Sequence, residues 1–218
     1  MACTATTPAP TTILPTRTAR ATSTPTLIPP TATPVQLTLR VTDELVNCRY
    51  GPATTYALVN ELKEEQAARV IGRNHSSTWW YIRDPGNPNG MCWVSADVTE
   101  IQGKAERLPV VSPPPITITK ASLRIEPARI IVACDQFPQT VFFEAEITAN
   151  GPTFAIWRWE ASTGVKSDDR ILVFEEAGMK VINGYYQIAA PNDYWIRLHI
   201  FKPNDMSAQV NFPVNCTP

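Results

Sequence analysis

Apolar and polar residues alternate in short runs along most of this chain, with the two-residue period of half-buried strands. Leu37-Thr38-Leu39-Arg40-Val41-Thr42 is the first such run. In the second, at 46–49, Val46 and Cys48 share one face while Asn47 and Arg49 share the other. Residues 67–71 follow and are expected to end at Gly72, and Trp80-Tyr81-Ile82-Arg83 comes next. The loop signal Pro85-Gly86-Asn87-Pro88-Asn89-Gly90 precedes Cys92-Trp93-Val94, where Cys92 and Val94 point one way and Trp93 the other. Short strands broken by Gly, Pro and Asn turns predict a small β-barrel over residues 35–103.

Residues 116–218 carry about seven further runs, at 116–125, 140–148, 154–160, 170–174, 180–188, 194–201 and 209–214. Turns such as Asn150-Gly151-Pro152 and Pro203-Asn204-Asp205 separate them. Strands of this number and spacing resemble an immunoglobulin-like β-sandwich. In the sixth run Ile196, Leu198 and Ile200 take the inward face, and Trp157 or Trp159 is the candidate core tryptophan. Tyr194 is placed for a tyrosine corner, in which the ring hydroxyl bonds back to upstream backbone. The antibody cysteine pattern is absent, since neither cysteine of this segment falls on the sixth run.

Two segments break the alternation. Residues 1–34 hold 12 threonines, 7 prolines, two arginines and no acid. Nothing there buries a face, so a disordered tether of polyproline character is expected, reaching on the order of 90 Å. Residues 104–115 end in Ser112-Pro113-Pro114-Pro115 and read as a short, stiff linker. The expected organisation is all-β: a tether over 1–34, a small barrel over 35–103, a linker over 104–115 and a sandwich over 116–218. With 19 basic and 20 acidic residues the net charge is −1, and neither β unit carries a basic stripe. Nucleic acid and anionic membrane surfaces are therefore not expected partners. No run approaches the ~18 apolar residues of a membrane span.

The five cysteines are Cys3, Cys48, Cys92, Cys134 and Cys216, and no two have the spacing of a zinc knuckle, redox pair or haem attachment. Cys48 and Cys92 lie on inward strand faces. A bridge between them would contribute up to roughly 4 kcal/mol by chain entropy. That matters in a unit of ~65 residues, whose core alone is marginal. A Cys134–Cys216 bridge would tie down the C-terminus for roughly 4.5 kcal/mol. Two bridges imply an oxidising, extracellular compartment, and five buried thiols in a reducing one are the alternative. Ala2-Cys3 resembles the last two positions of a bacterial lipobox. That resemblance implies lipidation of Cys3, a signal peptide outside this chain, and contact with a membrane only through the anchor.

Asn47-Cys48-Arg49-Tyr50-Gly51-Pro52, with Tyr56 and Val59 behind it, resembles the bacterial SH3 signature N-V-R-x-G-P-x-x-x-Y-x-x-V. Val70-Ile71-Gly72-Arg73, Trp79-Trp80-Tyr81-Ile82 and Gly90-Met91-Cys92-Trp93-Val94 are similar to its later pieces, the last with two residues inserted into G-W-V. The resemblance covers about residues 40–101. It departs at Cys48, where the family usually has valine, and at Cys92 before the tryptophan. It implies an SH3-like accessory module that binds cell-wall peptides, glycans or proteins.

Flat aromatic faces suit sugar rings or peptide stems, and arginines beside them can meet carboxylates. The candidate ligand-binding residues are accordingly Arg49, Tyr50, Tyr56, Trp79 and Trp93, with Arg83 nearby and Trp80 assigned to the core. The alternative is that these rings fill the barrel's core and rim. Chemistry is sparse. His75 lies in a polar turn and His199 on an outward strand face beside Arg197, in different units. No zinc-protease, serine-hydrolase or phosphate-loop motif occurs. Glu64-Glu65, Asp168-Asp169 and Glu175-Glu176 are neighbours whose carboxylates point apart, unlike the facing pair of a glycosidase. Asp168-Asp169 lacks the further ligands a calcium site needs. The expected function is that of a non-catalytic, surface-anchored binding protein without metal or cofactor, whose partners are cell-wall peptide or glycan or other surface proteins. A structural component of a surface layer or filament, or an accessory region of a cell-wall hydrolase, are the alternatives. Oligomeric state is not legible.

Overall fold

The described residues, 37–218 of a computed structural model, are all-β. The expected tether over 1–34 and the candidate lipidation site Cys3 lie outside them. Seven strands come first: β1 (Leu37–Val41), β2 (Leu45–Arg49), β3 (Leu58–Lys63), β4 (Ala67–Arg73), β5 (Trp79–Arg83), β6 (Met91–Ser95) and β7 (Thr99–Gln102). They form one antiparallel sheet in the order β3-β2-β6-β5-β4-β1-β7. The inward set of the alternation, including Leu39, Val46, Cys48, Val70, Trp80, Ile82 and Cys92, gathers in one cluster. Leu62 from one edge strand and Ile101 from the other both reach it, so the sheet curls around its own core.

One of these strands escapes the alternation, and another follows it only weakly. β3 buries only Leu62, and β7 buries no residue fully. Pairing with β2 makes β3 a strand, while β7 pairs with β1 and half-buries Thr99 and Ile101. β4 also continues through Gly72, where a stop was expected. A Cβ there would come 2.4 Å from the Val111 side chain and 3.0 Å from the Pro109 carbonyl. The glycine marks a close approach of another segment. Arg73 N–H donates to Pro109 O (3.0 Å) and Val111 N–H donates to Arg73 O (2.8 Å). Within 104–115, Leu108 is buried in the first core, so part of the expected linker is tied to the first sheet.

Eight strands follow: β8 (Ile118–Glu126), β9 (Ile130–Ala133), β10 (Gln139–Ala149), β11 (Thr153–Ala161), β12 (Arg170–Phe174), β13 (Gly178–Ile188), β14 (Asn192–Lys202) and β15 (Met206–Thr217). They make a three-stranded sheet, β13-β10-β8, and a five-stranded sheet, β12-β11-β14-β15-β9. One core joins the two sheets. Val141, Phe143, Ala145 and Ile147 of β10 share it with Trp157 and Trp159 of β11 and with Ile196, Leu198 and Ile200 of β14. In this half β9 is the strand that the sequence pattern missed. It is four residues long and pairs in parallel with the end of β15.

Both disulfides form as expected, Cys48 to Cys92 and Cys134 to Cys216. The first is wholly buried between β2 and β6. The second fastens β15 just where it pairs with β9. Tyr194 Oη donates to Ala190 O at 2.8 Å. Beside the first sheet, the β2–β3 turn docks on the β10–β11 turn, with Ala57 N–H donating to Asn150 O (3.1 Å), and on the β12–β13 turn, with Ala177 N–H donating to Thr55 O (2.8 Å).

Candidate functional site

Strands β2, β6 and β5 are neighbours, and their register sets Arg49 opposite Trp93 and Trp93 opposite Tyr81. Alternation along β5 then puts Trp79, Tyr81 and Arg83 on the face away from the core occupied by Trp80 and Ile82. The Tyr81 and Trp93 rings lie 5.0 Å apart at 38°. Trp93 nevertheless is only 1% exposed. This corrects its assignment as a ligand-binding ring: neighbouring side chains cover it, and it serves as a floor with no free face. Trp79 and Tyr81 are half-buried and keep accessible surface. Asn74 fixes the approach to Trp79, because its Oδ1 accepts from the backbone N–H of Thr78 (2.9 Å) and of Trp79 (3.1 Å).

Of the five expected site residues, Arg49, Trp79 and Trp93 share this face. Arg49 is partly committed, since its guanidinium donates to Tyr56 O at 2.9 Å. Tyr56 belongs to the seam instead. A Cβ on residue 51 would come 2.3 Å from its ring and one on residue 151 would come 3.3 Å from it, so the ring rests on two glycines. The G-P-x-x-x-Y spacing thus has a packing cause. Tyr50 directly follows β2 and is half-buried, its N–H donating to Ala57 O at 2.8 Å. Tyr81 is the member that sequence reasoning left out. Its signal was present in the Trp79-Trp80-Tyr81-Ile82-Arg83 alternation.

A charged cluster also went unread, on the outward face of β11 and β14. The register places Arg158 beside His199 and Glu160 beside Arg197. Glu160 Oε1 accepts from Arg158 Nε at 2.8 Å and lies 2.8 Å from its Nη2. The same oxygen is 3.4 Å from His199 Nδ1, while His199 Nε2 is 3.1 Å from Asp205. Arg197 stands 3.7 Å from Oε2, and the Glu160 side chain is only 9% exposed. Burial pushes the Glu160 carboxyl up, but hydrogen bonds from Arg158 and His199, together with their charges, outweigh it and hold the group below the ordinary carboxylate range. An ionised, fully engaged carboxylate clamps strands and is a poor proton donor at neutral pH. Asp169 lies 3.8 Å from Arg158, and Asp168 is exposed. Among the described residues no three His, Cys, Asp or Glu side chains converge as a metal site requires.

No protein-family model matches the chain, and no curated protein matches it. Among solved structures, a crystal structure of the CARDB domain of a Pyrococcus furiosus protein, in complex with di-metal ions, is 12% identical at a TM-score of 0.37. That match spans 48% of this chain and 96% of that one. A solution structure of the same domain gives 13% identity and a TM-score of 0.36 over 46% and 94%. A putative beta-galactosidase from Bacteroides fragilis is 8% identical at a TM-score of 0.28, over 83% of this chain and 30% of that one. Likenesses this slight carry no argument about fold or function.

Proposed function

We propose that this chain is a non-catalytic binding protein of the cell exterior, anchored through Cys3, with an SH3-type first module and an immunoglobulin-like second one. The observation that carries the reading is the strip of Trp79 and Tyr81 beside Arg49 and Arg83, laid over the buried Trp93. Accessible rings next to guanidinium groups suit the sugar rings and carboxylated stems of cell-wall polymers. The two bridges support an oxidising compartment. The split of β8, β10 and β13 from β11, β14 and β15, and the Tyr194 bond to Ala190 O, support the immunoglobulin-like reading.

Retention of the full chain on purified peptidoglycan tests it. Trp79→Ala combined with Tyr81→Ala is expected to weaken retention about tenfold or more, as loss of an aromatic anchor does. Equal retention of variant and wild type, or none by the wild type, removes the wall-ligand reading. A second reading, assembly into a surface layer, is favoured by β12. This edge strand leaves Ile171 67% and Val173 53% exposed, a template for pairing with a second copy. Light scattering that finds a strict monomer across concentrations counts against it.

A further inference from the structure

Both sheets of the second half, together with the segment between β11 and β12, line a cavity of about 350 Å³. Phe143 and Trp159 wall it from the core side, and Tyr186, on the core-facing side of β13, completes the wall. Gly184 permits this arrangement, because a Cβ there would come 2.2 Å from the Phe143 ring. Tyr186 Oη and Thr163 Oγ1 share a hydrogen bond of 2.6 Å, which pins the intervening segment to β13. The cavity is therefore held open by the fold.

Two features at this cavity have no role in holding the fold together. The indole N–H of Trp159 is buried with no partner, although buried donors are ordinarily bonded. Lys166 and Arg170 line the same cavity, and neither forms an ion pair among the described residues. Arg170 does lie 5.9 Å from the Trp157 ring, a contact that leaves its N–H donors free. Glu160 borders the cavity as well, but Arg158, Arg197 and His199 already meet its charge. Trp157 also has an unpaired indole N–H, yet it does not line the cavity.

We propose that this cavity is a second ligand site, and that it takes a carboxylated sugar residue. An aromatic wall receives the sugar ring, and the two unpaired cations receive the carboxylate. A purely apolar ligand would leave both cations unmet. The site is separate from the strip on the first sheet and does not depend on that reading.

The test uses the full chain, labelled with nitrogen-15, and follows the Trp159 indole N–H resonance, assigned by its loss in Trp159→Phe. A galacturonic acid trisaccharide is expected to shift this resonance saturably, and the neutral galactose trisaccharide to bind about tenfold more weakly or worse. Lys166→Gln with Arg170→Gln, both at exposed positions, is expected to weaken the acidic sugar about tenfold. Trp79→Ala should leave the titration unchanged, which separates the two sites. No saturable shift with the acidic sugar, equal affinity for the neutral one, or unaltered affinity in the double glutamine variant overturns the proposal.

Discussion

Replacing Glu160 by glutamine keeps the size of the side chain and removes its charge. In the native fold the carboxylate takes 2.8 Å contacts from two Arg158 nitrogens and faces His199 and Arg197 at 3.4 and 3.7 Å. A charge-assisted hydrogen bond contributes about 1.5–3 kcal/mol, and removing one partner of a fully buried pair costs about 3–5 kcal/mol. Here the Arg158 and Arg197 side chains remain 26% and 38% exposed, so water takes up some of the freed donors. The lower end applies, a loss of about 2 kcal/mol near neutral pH. For a unit of about 100 residues that lowers the melting temperature by roughly 8–16 °C. Urea unfolding with disulfides intact, followed by tryptophan fluorescence at a series of pH values, measures the gap. The carboxyl lies below its ordinary range when folded. Its contribution is therefore fully present above the unfolded value of roughly 4.3 and is lost as the pH falls through the folded value. The gap between wild type and Glu160→Gln should be widest at neutral pH and close on acidification. A variant as stable as wild type at neutral pH, or a gap that widens in acid, refutes the reasoning.

Gly51→Ala should destabilise by about 1–3 kcal/mol through overpacking, because the new methyl meets the Tyr56 ring. Thermal melts should also show non-additivity: adding Gly51→Ala to Tyr56→Ala costs less than adding it to wild type. Peptide mapping without reductant should recover Cys48 linked to Cys92 and Cys134 linked to Cys216. Replacing both Cys48 and Cys92 by alanine should lower unfolding stability by up to roughly 4 kcal/mol.

Legibility followed sidedness. β10 and β14 bury every second residue over much of their length, and both were visible in the alternation. β3 and β9 bury little, and only their partners make them strands. The site divides in the same way. Trp79 and Trp93 were legible as outward positions, since a strand's period says which side chains share a face. Tyr81 obeyed the same period and needed only the same reasoning.

The sequence by itself determined the all-β character, the inward position of Cys48 and Cys92, and the outward face that Trp79 shares with Arg83. These are local properties, set by alternation and turn chemistry within a few residues. Tertiary structure alone decided that Trp93 is covered on its outward face, that Tyr56 lies between glycines 100 residues apart, and that Glu160 meets Arg197 and His199 from another strand. Alternation reports which way a side chain points. What waits there depends on register and on which strands become neighbours, and those follow from packing the whole core.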